Sequence, residues 1–102
     1  MTKERLNEIG SIILDAAIAV HRELGTGLLE SAYQLALKRE LELRGLHVIA
    51  NVPVQLVYKS QPLGKAYEID LLVEGEVIIE NKSVELMNPV FSVSGYYLFK
   101  TV

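Results

Sequence analysis

Between residues 3 and 24, apolar side chains recur at Leu6, Ile9, Ile13, Ala16, Ala17, Val20 and Leu24. Steps of three and four draw one stripe down a helix, and Gly25 suits its end because glycine accepts the left-handed backbone there. Beyond Gly25-Thr26-Gly27 the pattern predicts a second helix over about Leu28–Arg44, stopped by Gly45. Leu29, Tyr33, Leu37 and Leu41 share a face flanked by Ala32, Ala36 and Leu43, while Lys38, Arg39, Glu42 and Arg44 fall to solvent. The chain then turns β-rich. Val48–Tyr58 reads as a strand in which Pro53 argues for an edge or a bulge. Lys59–Lys65, with Pro62 and Gly64, reads as a turn or short loop. Tyr67–Val73 and Val77–Val84 are two further strands separated by Glu74-Gly75-Glu76, and Asn88-Pro89 predicts a helix start. Helices grouped before strands give an α+β class: two N-terminal helices packed on a small, mainly antiparallel three-stranded sheet.

Composition narrows the function classes. The chain of 102 residues is the length of one domain, so residues 1–102 are read as a single unit. Half of the residues are apolar and 23% are charged, a globular profile. Zero cysteines exclude a disulfide scaffold, a zinc ribbon and a thiol nucleophile. Ten Lys and Arg against thirteen Asp and Glu leave a charge of −3, so contact with nucleic acid must come from a local patch. The start is charged, and the apolar run Ile12–Val20 is interrupted by Asp15, which fits neither a signal peptide nor a membrane span. The expectation is a soluble, cytoplasmic protein.

Candidate chemistry concentrates in the hairpin Tyr67–Lys82. Glu80 and Lys82 share a strand face. Where Asp70 points depends on the loop. With Glu74-Gly75-Glu76 as a three-residue loop, Val73 pairs with Val77, Leu71 with Ile79, and Asp70 falls opposite Glu80, with Cβ atoms about 5 Å apart. A two-residue loop sets Asp70 opposite Ile79 and sends the carboxylates to opposite faces. Gly75 suits the left-handed position of the three-residue loop and favours the first register. Opposed carboxylates need compensation, which Mg²⁺ or Mn²⁺, or Lys82, would supply. For phosphodiester hydrolysis, Asp70 and Glu80 would hold the metal and Lys82 would orient a water or neutralise developing charge. The same spacing also fits a solvated, ion-paired surface, a commoner arrangement. Val and Ile around the carboxylates argue instead for a strand covered on both faces.

Other residues carry less. Glu30, in the first turn of the second helix, is placed for the helix dipole or as a third metal ligand. Tyr33 reads as core. His21 and His47 lack ligand spacing, and Gly25-x-Gly27 is preceded by no strand, so it is no phosphate loop. Ser92 and Ser94 lack a matching His. Lys38, Arg39 and Arg44 make a small basic strip, either a phosphate contact or a solvated helix face.

Gly27-Leu28-Leu29-Glu30-Ser31-Ala32-Tyr33 reads Gly-x-x-Glu-x-x-Tyr, and over about residues 5–89 the chain resembles the small prokaryotic GxxExxY family. Ala17–Gly25 looks like that family's first helix; Tyr67-x-x-Asp70, Leu71-Leu72-Val73 and Glu80-x-Lys82 look like its hairpin. The family is placed in the PD-(D/E)xK nuclease-like superfamily, with a restriction-endonuclease-like core of a helix, a three-stranded meander, a helix and a further strand. By that resemblance Asp70, Glu80 and Lys82 form the catalytic set, and Glu30 is the helix-borne acid beside them.

Two departures follow. Where the family has a helix with Ala-Gln near its start and then a closing strand, this chain has Val90–Lys100 without a Gln, and is expected to be cut short at that C-terminal helix and strand. Asn81 stands where the family tends to be apolar. Written in permitted codons and read one base later, Ser94–Val102 gives Gln, three variable residues and Tyr-Leu-Lys-Leu, the family's spacing. A frameshift after about Pro89 is therefore expected, and a Ser94 codon not ending in CA would overturn it. The leading expectation is a metal-dependent nuclease-like domain weakened or inactivated by truncation. The alternatives are a non-catalytic binding module of the same fold and a degenerate product without activity. A missing last strand also exposes ladder groups for homo-oligomer formation by sheet-edge or helix pairing.

Overall fold

Thr2 begins the first helix: its Oγ1 accepts the Arg5 backbone N–H at 3.1 Å, satisfying one of the donors that a helix start leaves open. Helix α1 then runs over Lys3–Leu24 and ends at Gly25, whose φ of 73° no β-carbon opposes and whose N–H donates to His21 O. The computed structural model describes residues 1–80, 88–93 and 96–100. Helix α2 covers Glu30–Leu43, starting two residues later than the apolar pattern predicts. Its cap position is Leu29, which has no side-chain acceptor. Tyr33 takes over that task from inside the helix. Its hydroxyl accepts the Leu28 N–H and donates to Gly25 O, closing the interhelix loop.

Strands β1 (Val48–Tyr58) and β2 (Gln61–Val73) form a long antiparallel hairpin, and β3 (Val77–Glu80) continues the meander. The fold is α+β, two helices followed by an antiparallel meander. The β1–β2 turn is tighter than predicted. Lys59 and Ser60 make it alone, with φ of 49° and 64°, so Pro62 and Gly64 lie within β2 rather than in a loop. Paired positive φ values match the right-handed twist of the flanking strands.

Two corrections concern the C-terminal part. Asn88-Pro89 does not begin a helix; residues Asn88–Val93 form strand β4. Val90, Phe91 and Val93 carry β-branched and aromatic side chains, and pairing with a neighbouring strand outweighs the local cap signal. The meander is also not left without a further strand. Strand β5 (Tyr96–Lys100) runs parallel to β3, giving a five-stranded order β1-β2-β3-β5-β4. The β3 edge expected to be open is therefore occupied, and β1 and β4 are the outer strands. Lys82, Asn81, Val84 and, for the frameshift expectation, Ser94, Gly95, Thr101 and Val102 lie outside the described residues.

The main core lies between the helices and the sheet. Ile9, Ile13 and Ala16 of α1 and Leu37 and Leu41 of α2 meet Leu71, Val73, Val77 and Ile79. Each fully buried aliphatic side chain of this kind contributes about 1.5–3 kcal/mol. The predicted α1 stripe therefore holds except at Leu24, while α2 buries only its second half and leaves Leu29 exposed. A second cluster, Ile69, Leu72 and Ile78, packs with Val52 and Val54. Among the described residues no helix is long and apolar enough to cross a membrane.

Candidate functional site

The loop Glu74-Gly75-Glu76 sets the site. Glu74 and Gly75 adopt φ of 52° and 71°, and Glu76 N–H donates to Val73 O at 3.1 Å, so Val73 pairs with Val77. Glu74 then locks the loop to the body. Its N–H donates to His47 O, its Oε2 accepts the His47 N–H, both at 2.8 Å, and its Oε1 meets Arg5 Nη2 at 3.3 Å. With the loop fixed, Leu72 pairs with Ile78 and Leu71 with Ile79. This is the register of the three-residue loop, and the pairing runs as far as Leu71 and Ile79, the neighbours of Asp70 and Glu80.

Both faces of the strand pair are covered here. Leu71 and Ile79 belong to the helix-side core, whereas Leu72 and Ile78 are buried in the second cluster. Ile69, three positions from Leu72, also lies in the second cluster, so strict alternation along β2 is broken at Asp70. Asp70 is only 5% exposed, and Glu80 Oε1 is shielded from solvent. A solvated surface is not the setting of this pair. Tyr67 reports on both carboxylates. Burial pushes its phenol above the ordinary tyrosine value, and the negative charges of Glu80 and then Asp70 push it the same way.

A second device holds Asp70 from the helix side. Gln34 Nε2 donates to Asp70 O and to Asn51 Oδ1, each at 3.0 Å. Asn51 lies between Ala50 and Val52, which pair with Leu71 and Ile69, and its φ of 56° breaks the regular strand opposite Asp70. Helix α2 thereby grips the backbone of Asp70. Gln34 is not marked out by the sequence pattern, whereas Tyr67 stands there as the first residue of the Tyr67-x-x-Asp70 resemblance. Asn51 does carry a signal: an Asn inside a β-branched run is the residue type that tolerates positive φ.

The remaining predicted positions separate. Glu30 is exposed in the first turn of α2. Among the described residues, no three His, Asp or Glu side chains gather closely enough to cage a metal. Lys82 lies outside the described residues. Tyr33, predicted as core, is half-buried and staples the Gly25–Leu28 loop, with the His21 ring 5.0 Å from its own. In the basic strip, Lys38 pairs with Glu42 at 2.9 Å and Arg44 with Glu40 at 2.8 Å, so two of its three cations are engaged on their own helix.

Two shielded carboxylates suit a hard divalent cation. Mg²⁺ takes one or two carboxylates and completes its shell with water and substrate phosphate, so a pair is a sufficient donor set. Searches of curated proteins and of solved structures each returned no match. A family model described as the PD-(D/E)XK nuclease superfamily matches residues 7–95, a span that contains most of α1, all of α2, the meander, and both Asp70 and Glu80. By that match, over most of its length, the chain belongs to the PD-(D/E)XK nuclease superfamily.

Proposed function

We propose that the protein is a metal-dependent phosphodiesterase acting on nucleic acid, with Asp70 and Glu80 as ligands to Mg²⁺ or Mn²⁺ and Lys82 as the catalytic cation. One observation supports the reading: the register that pairs Leu71 with Ile79, one step from Asp70 and Glu80, within a chain of this superfamily. Bound there, the metal would polarise the phosphate and acidify a water. The protein's own contribution is placement. Gln34 fixes the Asp70 backbone, the Glu74 contacts fix the loop that leads to β3, and Asp70 itself is withdrawn from solvent. Low local polarity strengthens each charge–charge interaction made in the site. Lys82, two residues beyond Glu80 in the chain, would offset the charge that develops on the phosphate.

The test is cleavage of single- and double-stranded DNA and RNA with Mn²⁺ or Mg²⁺, beside EDTA controls. Cleavage that requires the metal and falls at least about 10²-fold in Lys82→Ala is the expected result. Cleavage unchanged in Lys82→Ala overturns the assignment. No cleavage by the wild type with either metal overturns the enzymatic reading in favour of a binding module.

A further inference from the structure

The β1–β2 hairpin is far longer than the site requires. Strands β1 and β2 have 11 and 13 residues. The surplus projects away from the body: every residue from Gln55 to Tyr67 is exposed. Ten residues separate Asp70 from the turn at Ser60, so at about 3.3 Å per residue the arm reaches on the order of 30 Å from the carboxylates.

Charge on this arm is the reverse of the rest. No carboxylate occurs between Glu42 and Glu68, so that stretch carries Arg44, Lys59 and Lys65 while all thirteen acids lie elsewhere. Lys59, at the tip, stands 5.5 Å from the centre of the Tyr58 ring. Lys65 meets Glu68 at 3.3 Å, an exposed pair of the weak kind that a phosphate can displace.

The arm is poorly made for addition to another strand. Pro53 removes a donor from the outer strand β1, and the ladder is irregular at Val54/Gln55 and at Leu56/Val57. Pro62 and the two lysines act in the same sense. Proline, bulges and lysine are the features by which sheets discourage edge pairing. A two-stranded ribbon is, however, a shape that the major groove admits, and an exposed aromatic beside a cation suits stacking on bases.

We propose that the Gln55–Tyr67 arm is a nucleic-acid-binding element that lays its polyanionic partner along the ribbon and across the Asp70–Glu80 pair. Its position beside a reaction centre rests on the phosphodiesterase reading; its binding does not. Fluorescence anisotropy of labelled DNA and RNA duplexes, about two helical turns long, should be measured in EDTA over a range of salt concentrations. The wild type should bind at least one of them. The double variant Lys59→Glu, Lys65→Glu should bind about tenfold or more weakly, with the slope of log K against log salt reduced by about 2. Tyr58→Ala should weaken binding further while leaving the melting temperature unchanged, since all three positions are exposed.

Duplex binding that survives the double variant with unchanged salt slope overturns the proposal. So does no binding to either duplex, or sedimentation showing a self-associated species that the arm substitutions dissolve. Asp70→Asn, measured alongside, keeps the two readings apart. Wild-type binding through the arm without metal-dependent cleavage, or cleavage undiminished in Asp70→Asn, removes only the catalytic reading, whereas cleavage lost in Asp70→Asn with binding indifferent to the arm removes only this one.

Discussion

Asp70 and Glu80 gain their meaning from what surrounds them, and Tyr67 is the residue that senses both. Its phenol is raised first by burial, then by Glu80 and Asp70, and a raised phenol is held in its neutral form. The sign for stability follows. Above the ordinary tyrosine value of about 10, the unfolded chain ionises while folded Tyr67 stays protonated, so stability falls as pH rises through that range. An absorbance titration of wild type minus Tyr67→Phe isolates this group among the five tyrosines. Its midpoint should lie above about 10 and should drop in Asp70→Asn, though not completely, because burial and Glu80 remain. A midpoint unmoved by Asp70→Asn would separate Asp70 from Tyr67 and from the proposed pair.

At the scale of elements, the three-residue loop carries the register and Gly75 carries the loop. A β-carbon at Gly75 would meet no atom within 4 Å, so the cost of replacing it is conformational alone. With φ of 71°, Gly75→Ala should destabilise by about 1–2 kcal/mol, and Gly75→Asn by less, because Asn tolerates the left-handed region. Urea unfolding of the two variants checks the order, and equal losses would show that the backbone angle is not the cause. Such local requirements are what a sequence displays well. The α1 stripe, the Gly25 and Gly45 stops and the Gly75 register were all legible because each depends on residues within a few positions. The Gln34 grip was not, since it joins positions 17 and 36 residues apart in the chain. For the same reason Asn88-Pro89 misled. A helix-start signal reads only its own neighbourhood, whereas β4 exists through its pairing with β5, and β5 through its pairing with β3.

For the molecule as a whole, the proposed metal is coupled to the stability of the fold. The Asp70–Glu80 pair sits on β2 and β3, the strands whose Leu71, Val73, Val77 and Ile79 make the centre of the main core. A metal that binds only the folded chain stabilises it. Free Mn²⁺ at about a hundred times its Kd should stabilise the fold by about 2.7 kcal/mol. For a domain of this size that is a rise of about 10–20 °C in Tm. Asp70→Asn keeps the shape of the side chain while removing one charge. It should show no rise with Mn²⁺. Glu30→Gln, on an exposed position of α2, should keep the rise in full. Differential scanning calorimetry of the three proteins with and without Mn²⁺ decides the matter independently of any cleavage assay. A metal-induced rise that persists in Asp70→Asn would place the cation elsewhere.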